Sequence, residues 1–248
     1  MPTFFVPPES ITPPIVRITG PLLRHLRDSL RLQQGDALTV LDDGGSRYRT
    51  EVTTVTDREI SARILQTTAP PPRTSPSLVL AQALLKGEKM DWVIQKATEL
   101  GVDQFVPLLA KHSVVKLRQD RIEHQMGRWR RIAVEAAQQS ERWTVPRLEE
   151  PVTLSELLTR YKTASAKLLL AERSNGVSLQ GTRLPADVHD TVLLVIGPEG
   201  GWDPEEVTLA ENHSCLVVTM GMTILRAETA AIAAVSIVQS RLGGLGGI

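Results

Sequence analysis

Two short stretches combine glycine with groups able to hold a ligand or a charge. In VIGPEGGWDPEEV, Val195 to Val207, an apolar run breaks into Gly197-Pro198-Glu199-Gly200-Gly201. In TMGMTILRAETAA, Thr219 to Ala231, a glycine again follows an apolar run directly, and Arg226, Glu228 and Thr229 stand at the mouth of an alanine-rich stretch. Glycine at a strand end lets backbone approach a ligand without a Cβ clash, and open parallel sheets bind ligands beyond the carboxyl ends of their strands. The pair predicts a ligand cradle shared between neighbouring strands, with an arginine and a carboxylate at its edge.

Much of the nearby acidity is helix chemistry. Asp203-Pro204-Glu205-Glu206 places an N-cap residue, proline at the first helical position and an acid at the third, so Asp203 and Glu206 are read as caps. The glycine spacing is not that of a dinucleotide fingerprint, and no Lys-Ser or Lys-Thr follows as a phosphate loop requires. Taken alone, the turn serves either chain geometry or a ligand.

The elements that must position these loops come in two styles. Ala69 to Pro76 carries four prolines in eight residues and reads as a stiff connector. Before it lie short β-rich pieces, TFFV, ALTVLDD, RYRTEVTTV and EISARIL, with one helical stretch near Pro21 to Leu32 and a hairpin turn at Asp42-Asp43-Gly44-Gly45. They predict a small β-barrel of about five strands over residues 1–72. After the connector, strand and helix alternate. Met90, Val93, Ile94, Ala97 and Leu100 recur at helical spacing before a capping Gly101, and Ile122, Met126, Trp129, Ile132, Ala133 and Ala136 mark a longer helix. SLVLAQAL, FVPLL, AKLLLA, TVLLVI and CLVVTM are nearly continuous apolar runs, as in a sheet covered on both faces. Residues 73–248 therefore predict an α/β domain with a mostly parallel sheet, ending in a frayed GGLGGI tail.

Composition narrows the function classes. The 248 residues hold 28 basic and 28 acidic side chains, so no net field draws the whole molecule to a polyanion. The single Cys215 excludes an internal disulfide, and the five histidines show no paired metal-ligand spacing. A cytoplasmic protein without a metal is expected. Its start lacks the pattern of a signal peptide, and no stretch approaches the ~18 apolar residues of a membrane span.

KGEKMDWVIQKATELG, RWRRIAVEAAQQSERWTVP, IGPEGGWDPEE and MGMTILRAETAA, with FFV and LQQGDALTVLDDGG near the start, together resemble the RsmE family of the SPOUT superfamily. The family methylates N3 of one uridine in 16S ribosomal RNA. The resemblance implies a PUA-like RNA-binding barrel over residues 1–72 and a C-terminal SPOUT-type parallel-sheet domain over 73–248 with a trefoil knot, which general topology rules would count against. It also implies S-adenosyl-L-methionine as cofactor, a homodimer, and a 16S rRNA or small-subunit particle as partner. Three loops would hold the cofactor: Leu170, Ala171 and Glu172; Ile196, Gly197, Pro198, Glu199 and Gly201; and Met220, Gly221, Thr223, Ile224 and Leu225. Thr229 either joins them or caps the last helix. Met222-Thr223 depart from the family's usual wording.

Methylation at N3 requires an imide proton to leave, which places negative charge on the uracil oxygens. By the resemblance, Arg226 is expected to stabilise that charge, or else to pair with Glu228 or Glu199. Glu228 either accepts the proton or complements the helix dipole, and Glu199 lies near the cofactor's positive charge. RNA contacts are expected from Arg128, Arg131 and Arg142, from Lys86 and Lys89, and from Arg17, Arg24, Arg27 and Arg31. Eight acids offset eight basic residues over 1–72, so the barrel is not a strongly cationic grip. Trp92 and Trp143 are expected as core or interface anchors. A non-catalytic ribosome-assembly factor and a ribose 2′-O-methyltransferase on the same scaffold are the competing readings.

Overall fold

A computed structural model describes residues 3–115, 119–172 and 177–245. The last three residues of the expected tail, Gly246 to Ile248, lie outside them. The described chain forms two compact units, Met1–Pro72 with Ala137–Val145, and Arg73–Ala136 with Pro146–Ile248.

The first unit is one curled six-stranded sheet. It contains β1 (Thr3–Phe5), β2 (Ile11–Thr12), β3 (Ile15–Ile18), α1 (Gly20–Arg24) with a wider turn over His25–Ser29, β4 (Ala37–Leu41), β5 (Arg47–Val55) and β6 (Ile60–Thr68), in the order β1-β4-β5-β6-β3-β2. The two ends do not pair among the described residues, so it is a half-barrel. β2 and β3 went unpredicted because runs of two and four residues are too short to show a period of two. The expected hairpin joins β4 to β5: the Asp42 side chain accepts from Ser46 N at 2.9 Å and Tyr48 Oη at 2.8 Å, and Gly45 takes φ +80. Phe4, Val16, Ile18, Leu26, Leu38, Val40, Val52 and Ile60 fill the concave side. Trp143, from the Ala137–Val145 segment, lies under Arg47, whose guanidinium carbon sits 3.8 Å from the ring centroid.

The second unit is an eight-stranded sheet in which every pairing is parallel. Its strands are β7 (Ser77–Ala83), β8 (Gln104–Leu109), β9 (Arg147–Leu148), β10 (Val152–Thr153), β11 (Ala166–Leu170), β12 (Val177–Ser178), β13 (Thr191–Ile196) and β14 (Leu216–Thr219). They run β10-β8-β7-β13-β11-β14-β12, with β9 beside β8. Between them lie α2 (Lys89–Glu99), α3 (Gln119–Gln139), whose last residues belong to the first unit, α4 (Leu154–Arg160), α5 (Pro204–Asn212) and α6 (Ala227–Leu242). The apolar runs are buried on both faces: Val79, Ala81, Leu169, Leu193, Val195 and Val217 pack with Leu154, Leu157 and Leu158 of α4, while α6 lies on β7 and β13.

α6 is where small side chains matter. Ala230, Ala231 and Ala234 are buried, and the helix packs against α2. Gln239 Nε2 donates to Gly101 O at 2.6 Å, and Gly101 ends α2 with φ +90, where a Cβ would meet that amide at 2.9 Å. Arg241 donates to the carbonyls of Leu179, at 2.8 Å, and Thr182. The chain's last helix is thus clasped from two sides.

Candidate functional site

The sheet order decides which loops meet. β13 and β14 are not neighbours, as the paired glycine motifs suggested; each pairs with β11, which lies between them. Leu170 is level with Ile196 on one side and Val218 on the other, and Gln82 at the end of β7 is level with Ile196. Four adjacent strands therefore deliver their following loops to one edge of the sheet: 84–88, 197–203, 171–172 and 220–226. All three loops expected to hold a cofactor are among them.

The glycine turn is tied down by its own surroundings. Gly201 N closes it on Pro198 O at 3.0 Å, with Gly201 at φ +73. A Cβ on Gly197 would meet the Trp202 indole at 3.0 Å, and one on Gly200 would meet His112 at 3.0 Å, so these two glycines make room for protein. Trp202 Nε1 donates to Leu170 O at 2.8 Å, which pins the β11 loop to the turn. Gln82, fully buried, donates from Nε2 to Ala83 O at 3.0 Å and to Gly197 O at 3.3 Å; its Oε1 is buried without a hydrogen bond among the described residues. Sequence reasoning passed over Gln82 and Trp202. A lone amide inside the apolar run SLVLAQAL was the available signal for the first, since a buried polar group needs partners.

The acids beyond the turn cap α5 as expected. Asp203 accepts from Glu205 N at 2.9 Å, and Glu206 returns to Asp203 N at 3.2 Å. They also anchor the segment after β8. Buried Glu206 accepts from Lys111 N at 3.0 Å, and Lys111 Nζ pairs with Asp203 at 3.2 Å and with Glu205. The Glu205 N–H and then Lys111 hold the Asp203 carboxyl below its usual range, and the same acids raise Lys111.

A charged bridge joins the glycine turn to the start of α6. Glu199 Oε1 accepts from Lys89 Nζ at 3.0 Å and from Lys86 N at 3.3 Å. Lys89 Nζ is also 3.5 Å from Glu228 Oε2, a buried oxygen that makes no hydrogen bond among the described residues. Burial alone would push the Glu199 carboxyl up, but the two lysine donors outweigh it and hold it below the ordinary value; Lys89 is raised in turn.

The loop after β14 is built differently. Gly221 takes φ +117 with nothing within 4 Å of where its Cβ would lie. Met222 and Thr223 are exposed, Met222 completely, and Ile224 is half exposed at 49%. Arg226 is the N-terminal flank of α6, and its exposed side chain has no hydrogen bond or ion pair among the described residues. Its expected alternative, a bridge to Glu199 or Glu228, does not form because Lys89 occupies both acids. Thr229 makes no cap: it is exposed, and no side chain caps α6.

The basic residues expected to meet RNA are dispersed. Arg128 is bound to Asp91 at 2.6 Å, beside Trp129 Nε1 on the same carboxylate, and so helps hold α3 to α2. Arg131 and Lys86 are exposed. In the first unit, Arg27 is paired with Asp28 at 2.7 Å and Asp57 at 3.0 Å, Arg17, Arg24 and Arg31 are exposed, and Arg142 lies in the Ala137–Val145 segment. Trp92 is not a core residue: 42% of it is exposed on α2. No group of three metal-ligating side chains occurs among the described residues, and no described helix is long and apolar enough to cross a membrane.

The edge thus presents backbone walls, open space at Gly201 and Gly221, and two buried oxygens, Gln82 Oε1 and Glu228 Oε2, that make no hydrogen bond among the described residues, the second beside the Lys89 ammonium. Two carboxylates share one ammonium there, leaving one net negative charge. Such a site fits a ligand that brings hydrogen-bond donors and a positive charge, as S-adenosylmethionine does.

Residues 73–239 match the family of the RNA methyltransferase domain, and residues 18–65 match the RNA methyltransferase PUA domain. The ribosomal RNA small subunit methyltransferase E of Synechocystis sp. is 35% identical over 242 residues, covering 96% of this chain and 77% of the relative. The protein of that name from Bacillus subtilis is 32% identical, covering 90% and 89%. Among solved structures, a Legionella pneumophila methyltransferase with bound S-adenosylmethionine superposes with TM-score 0.88 at 29% identity, covering 96% of this chain and 97% of that one. The Neisseria gonorrhoeae ribosomal RNA small subunit methyltransferase E, also bound to S-adenosylmethionine, superposes at 0.85 and 29%, covering 97% and 98%.

Proposed function

The chain belongs to the ribosomal RNA small subunit methyltransferase E family, with a SPOUT-type α/β domain and a PUA-like half-barrel, and from that premise we propose that it methylates N3 of a specific uridine in 16S ribosomal RNA with S-adenosylmethionine. One observation carries the reading furthest: three loops from adjacent parallel strands meet at one edge, tied by Trp202 to Leu170 and by Lys89 to Glu199 and Glu228.

Bound at that edge, S-adenosylmethionine supplies a methyl group made electrophilic by a cationic sulfur. The loops at 170–172, 196–201 and 220–225, with Thr229, would hold it, chiefly through backbone groups that glycine leaves accessible. Arg226, exposed beside the last loop, donates a hydrogen bond to one uracil oxygen as N3 loses its proton and the ring takes up negative charge. Glu228, whose buried Oε2 makes no hydrogen bond among the described residues and has the Lys89 ammonium 3.5 Å away, is the carboxylate that would accept that proton. Alignment of the nucleophile with the departing sulfur accounts for much of the barrier reduction, which is why a tied set of loops suits the reaction.

We assign residues 1–72 to RNA binding and 73–248 to methyl transfer, in a cytoplasmic homodimer acting on the small-subunit particle. Exposed Arg17, Arg24, Arg31, Lys86 and Arg131 support the RNA contact. Arg27 and Arg128 are already paired and contribute less. The test is to incubate the protein with labelled cofactor and unmethylated small-subunit particles and identify the product nucleoside. Labelled 3-methyluridine is expected; no transfer would reject the assignment, and label on a ribose would favour 2′-O-methylation.

A further inference from the structure

Lys89 entered as an RNA contact, yet its surroundings do not suit a phosphate. It is the first residue of α2, and its ammonium lies 3.0 Å from Glu199 Oε1 and 3.5 Å from Glu228 Oε2. The side chains of Glu199 and Glu228 are only 24% and 15% exposed, against 36% for Lys89. An ammonium shared by two carboxylates leaves the cluster negative, and a negative cluster repels a phosphate. The two acids come from different segments: Glu199 from the turn after β13, Glu228 from the first turn of α6, the helix that follows β14. No strand pairing joins those segments, because β11 separates the strands.

We propose that Lys89 is a positioning residue, a clip that holds the glycine turn and the start of α6 in one arrangement around the cofactor. The proposal rests on the functional reading above. Lys86 N reinforces it by donating to the same Glu199 oxygen at 3.3 Å, so the loop between β7 and α2 grips the turn at two points. Gln82, near the end of β7, holds the Gly197 carbonyl. Lys89 is the one of these groups that also reaches the start of α6, and Glu228 Oε2 has no other partner among the described residues. Without the ammonium, two carboxylates face each other with nothing to balance them, and the loops part.

The test uses the full chain and equilibrium titration with S-adenosylmethionine and with S-adenosylhomocysteine, which has no methyl to transfer. Lys89→Met is expected to weaken both by about ten-fold, within the ordinary range of coupling between sites. Lys89→Arg, which keeps the charge, restores most of the affinity. Glu199→Gln breaks the same clip from the other side without touching Lys89, so it weakens binding too, and the double variant Lys89→Met, Glu199→Gln is hardly weaker than either single one. This second route keeps the test decisive should Lys89→Met fail to fold. Unchanged cofactor affinity in Lys89→Met, with a raised KM for RNA and a shallower salt dependence, would overturn the clip and return Lys89 to the RNA; so would additive effects in the double variant. Wild-type protein that bound neither compound would overturn the functional reading along with it.

Discussion

The turn at 197–201 and the loop at 220–226 belong to the same strand-edge site, on either side of the β11 loop, and they are built in opposite ways. In the first, nearly every group is committed: the Gly197 carbonyl to Gln82, Glu199 to Lys86 and Lys89, Gly200 against His112, and Gly197 against the Trp202 ring. In the second, Met222, Thr223 and Arg226 are exposed and Gly221 has open space beside it. The difference teaches that a glycine-rich sequence has two uses. Gly197 and Gly200 admit protein, giving a wall that stands before any ligand arrives, whereas the later loop leaves its backbone and its arginine exposed.

Removing the open loop's arginine should have the largest effect. Arg226→Ala is expected to lower single-turnover methylation by about 10²–10³-fold, the usual loss of a donor to developing negative charge, while cofactor affinity holds. Near-normal turnover would strip the open loop of its chemical role. The wall should answer in stability instead. Gly197→Ala drives a Cβ into the Trp202 indole at 3.0 Å, so denaturant unfolding should show a loss of about 1–3 kcal/mol, with weaker cofactor binding as the Leu170 contact goes.

A pH dependence separates the two regions further. Glu199 is held below its ordinary value, so its contribution is present above about pH 4.3, the unfolded value, and is lost as pH falls through the lowered one. Lys89 is raised, so its share is intact below about pH 10.4 and disappears only as pH rises through the higher value. Thermal melts of the wild type should therefore decline on the acid side, and Glu199→Gln should flatten part of that decline. The smallest effect is expected from Met222→Ser, within about 0.5 kcal/mol of wild type, because this side chain is fully exposed. A large loss there would mean that the loop is packed in solution.

What the sequence disclosed follows from the range of the interactions. Local signals were legible: Met90, Val93, Ile94 and Ala97 form the buried stripe of α2, and Gly101 ends it. Asp203 and Glu206 form the capping box that their spacing announced. The strand-end loops were also legible one at a time, because apolar runs ending in glycine mark them. Their neighbours were not, since sheet order depends on pairing between distant segments, and β11 entered between two strands expected side by side. Lys89 shows the same limit. Its partner Glu199 lies 110 positions away, so nothing local distinguished a lysine that grips two acids from one that greets a phosphate. Arg128 shows it too, since its partner Asp91 is 37 positions off.

Backbone hydrogen exchange with and without S-adenosylmethionine tests the contrast most directly, because it reads both loops in one experiment. Cofactor should bring a large gain in protection to peptides covering 220–226 and little change at 197–203, where the wall is already formed. Equal gains in both, or a larger gain at the glycine turn, would contradict a wall that precedes its ligand.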